Sequence, residues 1–102
     1  MFIVCVTSCP VGIAHTYMAA ANLEKAAKAK GLEVKVETQG AQGVENEITK
    51  EDIARAAGCI IASDVRIKNG SRFDPIPTLN ASVSEAVKDA KGIVEELLEA
   101  IE

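Results

Sequence analysis

The stretch Val4-Cys5-Val6-Thr7-Ser8-Cys9-Pro10-Val11-Gly12-Ile13-Ala14-His15-Thr16 decides how this chain is read. An apolar run from Phe2 to Val6 predicts a buried strand that stops at Thr7-Ser8. A cysteine follows, then a short loop with one proline and one glycine. An alanine-rich segment from about Ala14 to Lys30 then has the composition of a good helix. Strand, tight loop and helix aim successive backbone N–H groups and a helix N-terminus at one point. A thiol at that point has a lowered pKa, because the dipole and the N–H donors stabilise the thiolate. A phosphate at that point is held by the same donors. The loop therefore predicts a nucleophile, Cys9, beside a cradle for the group it accepts.

The rest of the chain reads as support for that loop. Its 102 residues predict one domain over 1–102, large enough for a core without staples. Hydrophobic residues make up 48% and aromatics 3%, so the core is built from Val, Ile, Leu and Ala. That favours helices on a small sheet over an aromatic-rich sandwich. The net charge is −4, with one Tyr and two Phe, so a nucleic-acid partner finds neither a basic footprint nor a stacking platform. No apolar run approaches the ~20 residues that span a bilayer, and Phe2 to Val6 is too short for a signal peptide. A cytoplasmic chain without membrane insertion is expected. Three cysteines without C-x-x-C spacing, and a single histidine, argue against a metal site. In a reducing compartment all three are free thiols, with Cys5 and Cys59 as small core residues inside apolar runs.

In chain order, the first helix is expected to face inward through Met18, Ala21, Leu23 and Ala26, and Gly31 fits the position after its end. Residues 32–38 alternate apolar and charged, which suits a half-buried edge strand. Residues 39–43, with two glycines, read as a loop. Thr49 reads as the N-cap of a short helix over 50–57, with Asp52 in its first turn. Cys59 to Ser63 is a third, buried strand. Residues 65–79 hold the Asn69-Gly70 turn and two prolines, so any strand there is short or at an edge. Ser82 or Ser84 caps a last helix to about Ile101. The pattern predicts a three-layer α/β/α fold, a small four-stranded, mainly parallel, Rossmann-like or flavodoxin-like open sheet with right-handed crossovers. Three loops then meet beyond the strands' carboxyl ends: 9–14, 38–43 and the segment from Asp64 onward.

The bland alternative for Cys9 is a buried cysteine at a strand end. The loop argues otherwise: Gly12 permits close backbone approach, Pro10 stiffens the turn, and residues 11–15 offer uninterrupted N–H groups. His15 lies in the first helical turn, as a surface group or as one that stabilises a thiolate or orients a phosphoryl group. Thr16 is helix surface or a hydroxyl donor to a phosphoryl oxygen. Cysteine phosphatases place an Arg six residues after the nucleophile, where it clamps the phosphoryl oxygens. Here that position is His15, and no Arg precedes Arg55, which leaves a small cysteine phosphatase as the alternative to a carrier. The G-x-G-x-x-G of a dinucleotide site is absent, and no cofactor is expected.

The run Cys9-Pro10-Val11-Gly12-Ile13-Ala14-His15-Thr16, followed by Tyr17-Met18-Ala19-Ala20, resembles the fructose-specific IIB domain of the bacterial phosphoenolpyruvate-dependent sugar phosphotransferase system. Glu37-Thr38-Gln39-Gly40, Ala62-Ser63-Asp64 and Arg72-Phe73 also match that family. Val11 and Ala41 depart from it, where the family has Thr and Ser. The resemblance implies that Cys9 accepts a phosphoryl group from the phosphohistidine of a IIA partner. Cys9 would then pass it to a sugar, by family default fructose, held by a membrane IIC partner. It also implies that the loop 10–14 cradles the phosphate, through the N–H groups of residues 11–14 with Pro10 shaping the turn. His15 and Thr16 are auxiliary groups, and Gln39 and Asp64 lie on the same edge, one step out from the loop. The bland readings of that last pair are loop structure and a turn cap. Arg66, Lys68 and Arg72 read as a solvated basic loop or as a face toward partner or phosphate.

Overall fold

The computed structural model describes residues 1–8, 13–40 and 43–101. Strand β1 (Phe2–Ser8) is the centre of the sheet, and every residue from Ile3 to Ser8 is buried. It runs parallel to β2 (Glu33–Gly40) on one side and β4 (Gly58–Ser63) on the other. A short strand β3 (Gly43–Glu45) lies antiparallel beside β2, and β5 (Thr78–Ala81) lies parallel beside β4. The order is β3-β2-β1-β4-β5. The first crossover, through α1 (Ile13–Ala29), moves one way along the sheet from β1, and the next, through α2 (Lys50–Arg55), comes back past it. Right-handed crossovers in opposite directions lie on opposite faces. One core therefore packs Ile3, Cys5, Ile60 and Ala62 against α1 and against α3 (Val83–Ile101). The other packs Val4, Val6, Cys59, Ile53, Ile67 and Phe73 on the α2 side, where a 3₁₀ turn (Gly70–Phe73) completes the layer. The change of direction beside β1 makes the carboxyl ends of β1 and β4 the switch point of the sheet, the position where open α/β sheets bind ligands.

Local signals account for most boundaries. The Leu32 N–H bonds Ala27 O at 3.0 Å and the Gly31 N–H bonds Lys28 O at 2.9 Å, with Gly31 at φ +78°, so α1 ends in a Schellman motif. Thr49 and Asp52 form a reciprocal capping box at α2, and Ser82 and Glu85 form one at α3. In α3, Asp89 leaves helical geometry (φ −146°, ψ 53°), and its Oδ1 accepts the Gly92 N–H at 3.1 Å. The helix is thus recapped midway, and a Cβ on Gly92 would sit 2.3 Å from the Asp89 carboxylate. Past that kink the stripe Ala90, Ile93, Val94 and Leu97 stays buried, each fully buried large aliphatic side chain contributing about 1.5–3 kcal/mol.

Four expectations from sequence are corrected. The sheet has five strands among the described residues, not four, because residues 43–45 pair back on 38–40. For the same reason β2 is an edge only over its first half. The inner face of α1 is Thr16, Ala19, Leu23 and Ala27, whereas Met18 and Ala21 face out. In a helix of alanines the apolar stripe has too little contrast to set its phase. Lastly, α2 stops at Arg55 rather than at 57.

Candidate functional site

Position 9 follows the last residue of β1 directly, and the pairing register defines what flanks that point. Val44, Gln39, Ser8 and Ser63 form one row across the sheet, from β3 through β2 and β1 to β4. At strand spacing the row is ~14 Å wide, with Ser8 inside it. Cys9, Pro10, Val11 and Gly12 lie outside the described residues, and of Ile13 and Ala14 only the backbone, at the start of α1, is described. The carboxyl end of the central strand and the amino end of α1 therefore bracket the loop. The Thr7 hydroxyl donates to Thr16 O at 3.2 Å and fastens strand to helix beside it.

The auxiliary candidates separate. His15 is exposed. Thr16 is 2% exposed, and its Oγ1 has no hydrogen-bond partner among the described residues. A buried hydroxyl left unpaired is costly and marks a place where a partner is missing. Tyr17, on the next position of α1, donates its hydroxyl to the Glu45 carboxylate on β3, and that carboxylate holds the phenol above its ordinary pKa.

Gln39 is 5% exposed and its amide is fully engaged. Nε2 donates to Glu37 at 2.7 Å and to Lys68 O at 3.1 Å, while Oε1 accepts the Lys68 N–H at 2.8 Å. The side chain stands in for a neighbouring strand and pins the segment after β4, leaving no amide proton for a ligand. Beside it Glu37 is completely buried. Its Oε1 accepts the Ile48 N–H at 2.8 Å and its Oε2 pairs with Arg72, whose Nη1 donates to Ile48 O at 2.9 Å. Arg72 also stacks 4.6 Å from the centre of the Phe73 ring. The three basic residues after β4 thus divide: Arg72 points inward into an ion pair, and Arg66 and Lys68 are exposed. Alternation along β2 does not show the burial of Glu37; the signals in the sequence are its place in the Glu37-Thr38-Gln39-Gly40 run and Arg72, 35 residues away. Asp64 is exposed, and its Oδ1 accepts the Val83 N–H at 3.2 Å, so it caps the start of α3.

The two described cysteines belong to opposite cores, Cys5 on the α1–α3 side and Cys59 on the α2 side. Burial pushes the Cys5 thiol far above its ordinary range, with Cys59 adding to the shift. Burial likewise pushes Cys59 up to about 12, with Arg72 opposing and Glu37 reinforcing. Neither is a thiolate near neutral pH. Arg55, first arginine in the chain, pairs with Glu33 and lies 4.7 Å from the Phe2 ring centre, at the amino ends of the strands. It is at the wrong end of the sheet to clamp a phosphoryl group held after β1. Among the described residues no group of three His, Cys, Asp or Glu side chains is placed to hold a metal, and no helix is long and apolar enough to cross a membrane.

Comparison with known proteins agrees with this geometry. The chain is 53% identical over 95 residues to the PTS system fructose-like EIIB component 2 of Escherichia coli K12, covering 93% of this chain and 90% of that one. It is 48% identical over 96 residues to the PTS system 2-O-alpha-mannosyl-D-glycerate-specific EIIABC component of the same strain. There it covers 94% of this chain but only 15% of that protein's length. The crystal structure of a domain from the fructose-specific IIABC component of Borrelia burgdorferi superposes with a TM-score of 0.91 at 41% identity, covering 96% of this chain and 93% of that one. Residues 4–96 match the family described as PTS system, Lactose/Cellobiose specific IIB subunit, so the chain belongs to the IIB family of the sugar phosphotransferase system.

Proposed function

We propose that this chain is a single IIB-type domain that carries a phosphoryl group on Cys9, between the phosphohistidine of a IIA protein and a sugar bound to a membrane IIC partner. Cys9 is supported by position and by elimination. It follows Ser8 at the carboxyl end of the central strand, and the other two thiols are buried with raised pKa values. In the first step the Cys9 thiolate attacks phosphorus in line. The S–P bond forms, the P–N bond to imidazole breaks, and the electron pair returns to the ring nitrogen. In the second step a sugar hydroxyl attacks, the O–P bond forms, the S–P bond breaks with its electron pair returning to sulfur as the thiolate, and the hydroxyl proton passes to solvent water. Such chemistry is positioning plus charge stabilisation. The N–H groups of residues 11–14 and the α1 N-terminus supply it, the Thr16 hydroxyl, without a partner among the described residues, donates to a phosphoryl oxygen, and His15 lies within the same first turn. Gln39 and Asp64 act one step out, by fixing the segments that surround the loop. The sugar is fructose or a related hexose, and the domain works at the cytoplasmic side of the membrane.

Incubation with a ³²P-phosphorylated IIA protein tests this. The wild type is expected to take up acid-stable, iodine-labile label stoichiometrically, and Cys9→Ser none. Label retained in Cys9→Ser, or steady hydrolysis of an aryl phosphate by the wild type, would contradict the carrier reading.

A further inference from the structure

The start of α1 is held to the sheet by a row of polar side chains. Thr7 on β1 pairs with Thr38 on β2, and Thr38 pairs with Glu45 on β3. Directly paired residues present their side chains on one face. Thr7 and Thr38 continue the alternation of Ile3, Cys5, Val34 and Val36, which belong to the core on the α1 side. The row therefore faces α1, one residue short of the row that holds Ser8. Consecutive residues of the helix meet it. The Thr7 hydroxyl donates to Thr16 O at 3.2 Å, and the Tyr17 hydroxyl donates to the Glu45 carboxylate. Thr38, between Thr7 and Glu45, also interacts with the phenol through its hydroxyl. Further along, α1 rests on Ala19, Leu23 and Ala27. Helices lock together through ridges and grooves, and a stripe so rich in alanine makes them shallow. Hydrogen bonds are directional, so the polar row fixes the roll that the apolar stripe leaves loose. It also closes a ring: β1, the connection 9–12, the start of α1, Tyr17, Glu45 on β3, β2, and back to β1.

We propose that Tyr17 and Glu45 are positioning residues for phosphoryl transfer: their hydrogen bond, with that of Thr7, sets how the amino-terminal turn of α1 is aimed at the carboxyl end of β1. This rests on the carrier reading of Cys9. Neither side chain touches the reacting atoms; both act through the helix. During transfer, charge develops on sulfur and on the phosphoryl oxygens, and donors stabilise it according to how well they are aimed beforehand. A helix free to roll keeps its N–H groups but loses their aim. What Glu45 supplies is an acceptor oxygen at the right place, so a neutral acceptor there holds the phenol as well. The bond is exposed, so its weight in global stability is small. Its consequence lies in the geometry of one turn.

The test is single-turnover ³²P transfer from a histidine-phosphorylated IIA protein to wild type, Tyr17→Phe, Glu45→Ala, Glu45→Gln and Tyr17→Phe/Glu45→Ala. Tyr17→Phe removes one oxygen from an exposed ring, and urea midpoints check that each variant is folded under assay conditions. The rate constant at saturating donor is expected to fall about tenfold in Tyr17→Phe and in Glu45→Ala, with the half-saturating donor concentration within about twofold of wild type. The double variant should fall no further than either single one. Glu45→Gln should keep a rate near that of wild type, because its amide oxygen accepts the same hydroxyl. Alkylation of Cys9 by iodoacetamide, followed against pH, gives a reading that a merely structural role would not move. Its midpoint should rise in Tyr17→Phe, because poorly aimed N–H groups stabilise the thiolate less. An unchanged saturated rate in Tyr17→Phe would overturn the positioning role and leave the carrier reading standing. So would losses that add in the double variant, or a defect confined to half-saturation, which would make Tyr17 a contact of the donor protein. A wild type that gains no label at any donor concentration would overturn both.

Discussion

At the residue scale, three thiols in one small chain are set to behave differently. Cys5 and Cys59 are held neutral by burial on opposite faces of the sheet. Iodoacetamide at pH 7 is expected to label one thiol per native chain, at Cys9, and three only after unfolding; peptide mapping reads the difference. Rapid native labelling at Cys59 would show that the α2-side core opens. Thr16 separates folding from chemistry in the same way. Its hydroxyl is buried without a partner among the described residues, so Thr16→Val should leave stability unchanged or raise it by about 1 kcal/mol. If the hydroxyl donates to a phosphoryl oxygen, the same variant shortens the lifetime of the phosphocysteine. Urea melts and label decay measure the two separately. Asp52 makes a third case. The Lys35 ammonium at 2.7 Å, followed by the Thr49 N–H, holds its carboxyl down at about 2. The folded carboxyl binds its proton more weakly than the unfolded one, so this contribution is complete above pH ~4 and is lost as pH falls through about 2. Asp52→Asn should therefore be less stable than wild type at pH 6, with the gap closing toward pH 2 in urea midpoints.

At the element scale, the end of β2 does more than pair with its neighbours. Glu37 and Gln39 point to the same face and hold residues 48, 68 and 72, which join two connecting segments to the sheet. Glu37→Ala leaves the Arg72 charge largely buried without a counter-ion and should cost about 3–5 kcal/mol in equilibrium unfolding. Replacing both partners by apolar residues of similar volume should cost much less. This network was not legible in the sequence. Alternation along a strand shows which face a residue takes, but not that a charge on the inner face will find an arginine far along the chain. By contrast, the helix ends were legible, because caps are local: Thr49 with Asp52, Ser82 with Glu85, and Gly31 at positive φ. Gly31→Ala is expected to cost about 1 kcal/mol or somewhat more for the left-handed backbone, readable as a lowered Tm. Strand β3 escaped notice since three residues held mainly by backbone pairing carry no pattern.

At the scale of the whole molecule, a single topological fact organises the rest. The chain leaves β1 in one direction and returns past it in the other, so the carboxyl ends of β1 and β4 lie side by side. The alternation of apolar strands with helical segments was enough to predict that arrangement; the site on the cysteine loop is what we propose from it. The most direct measurement of the central claim is mass spectrometry of the intact chain and its peptides after incubation with a histidine-phosphorylated IIA protein. The account predicts one phosphoryl group per chain, located on Cys9. A phosphoryl group on His15, on any other residue, or on none would contradict it.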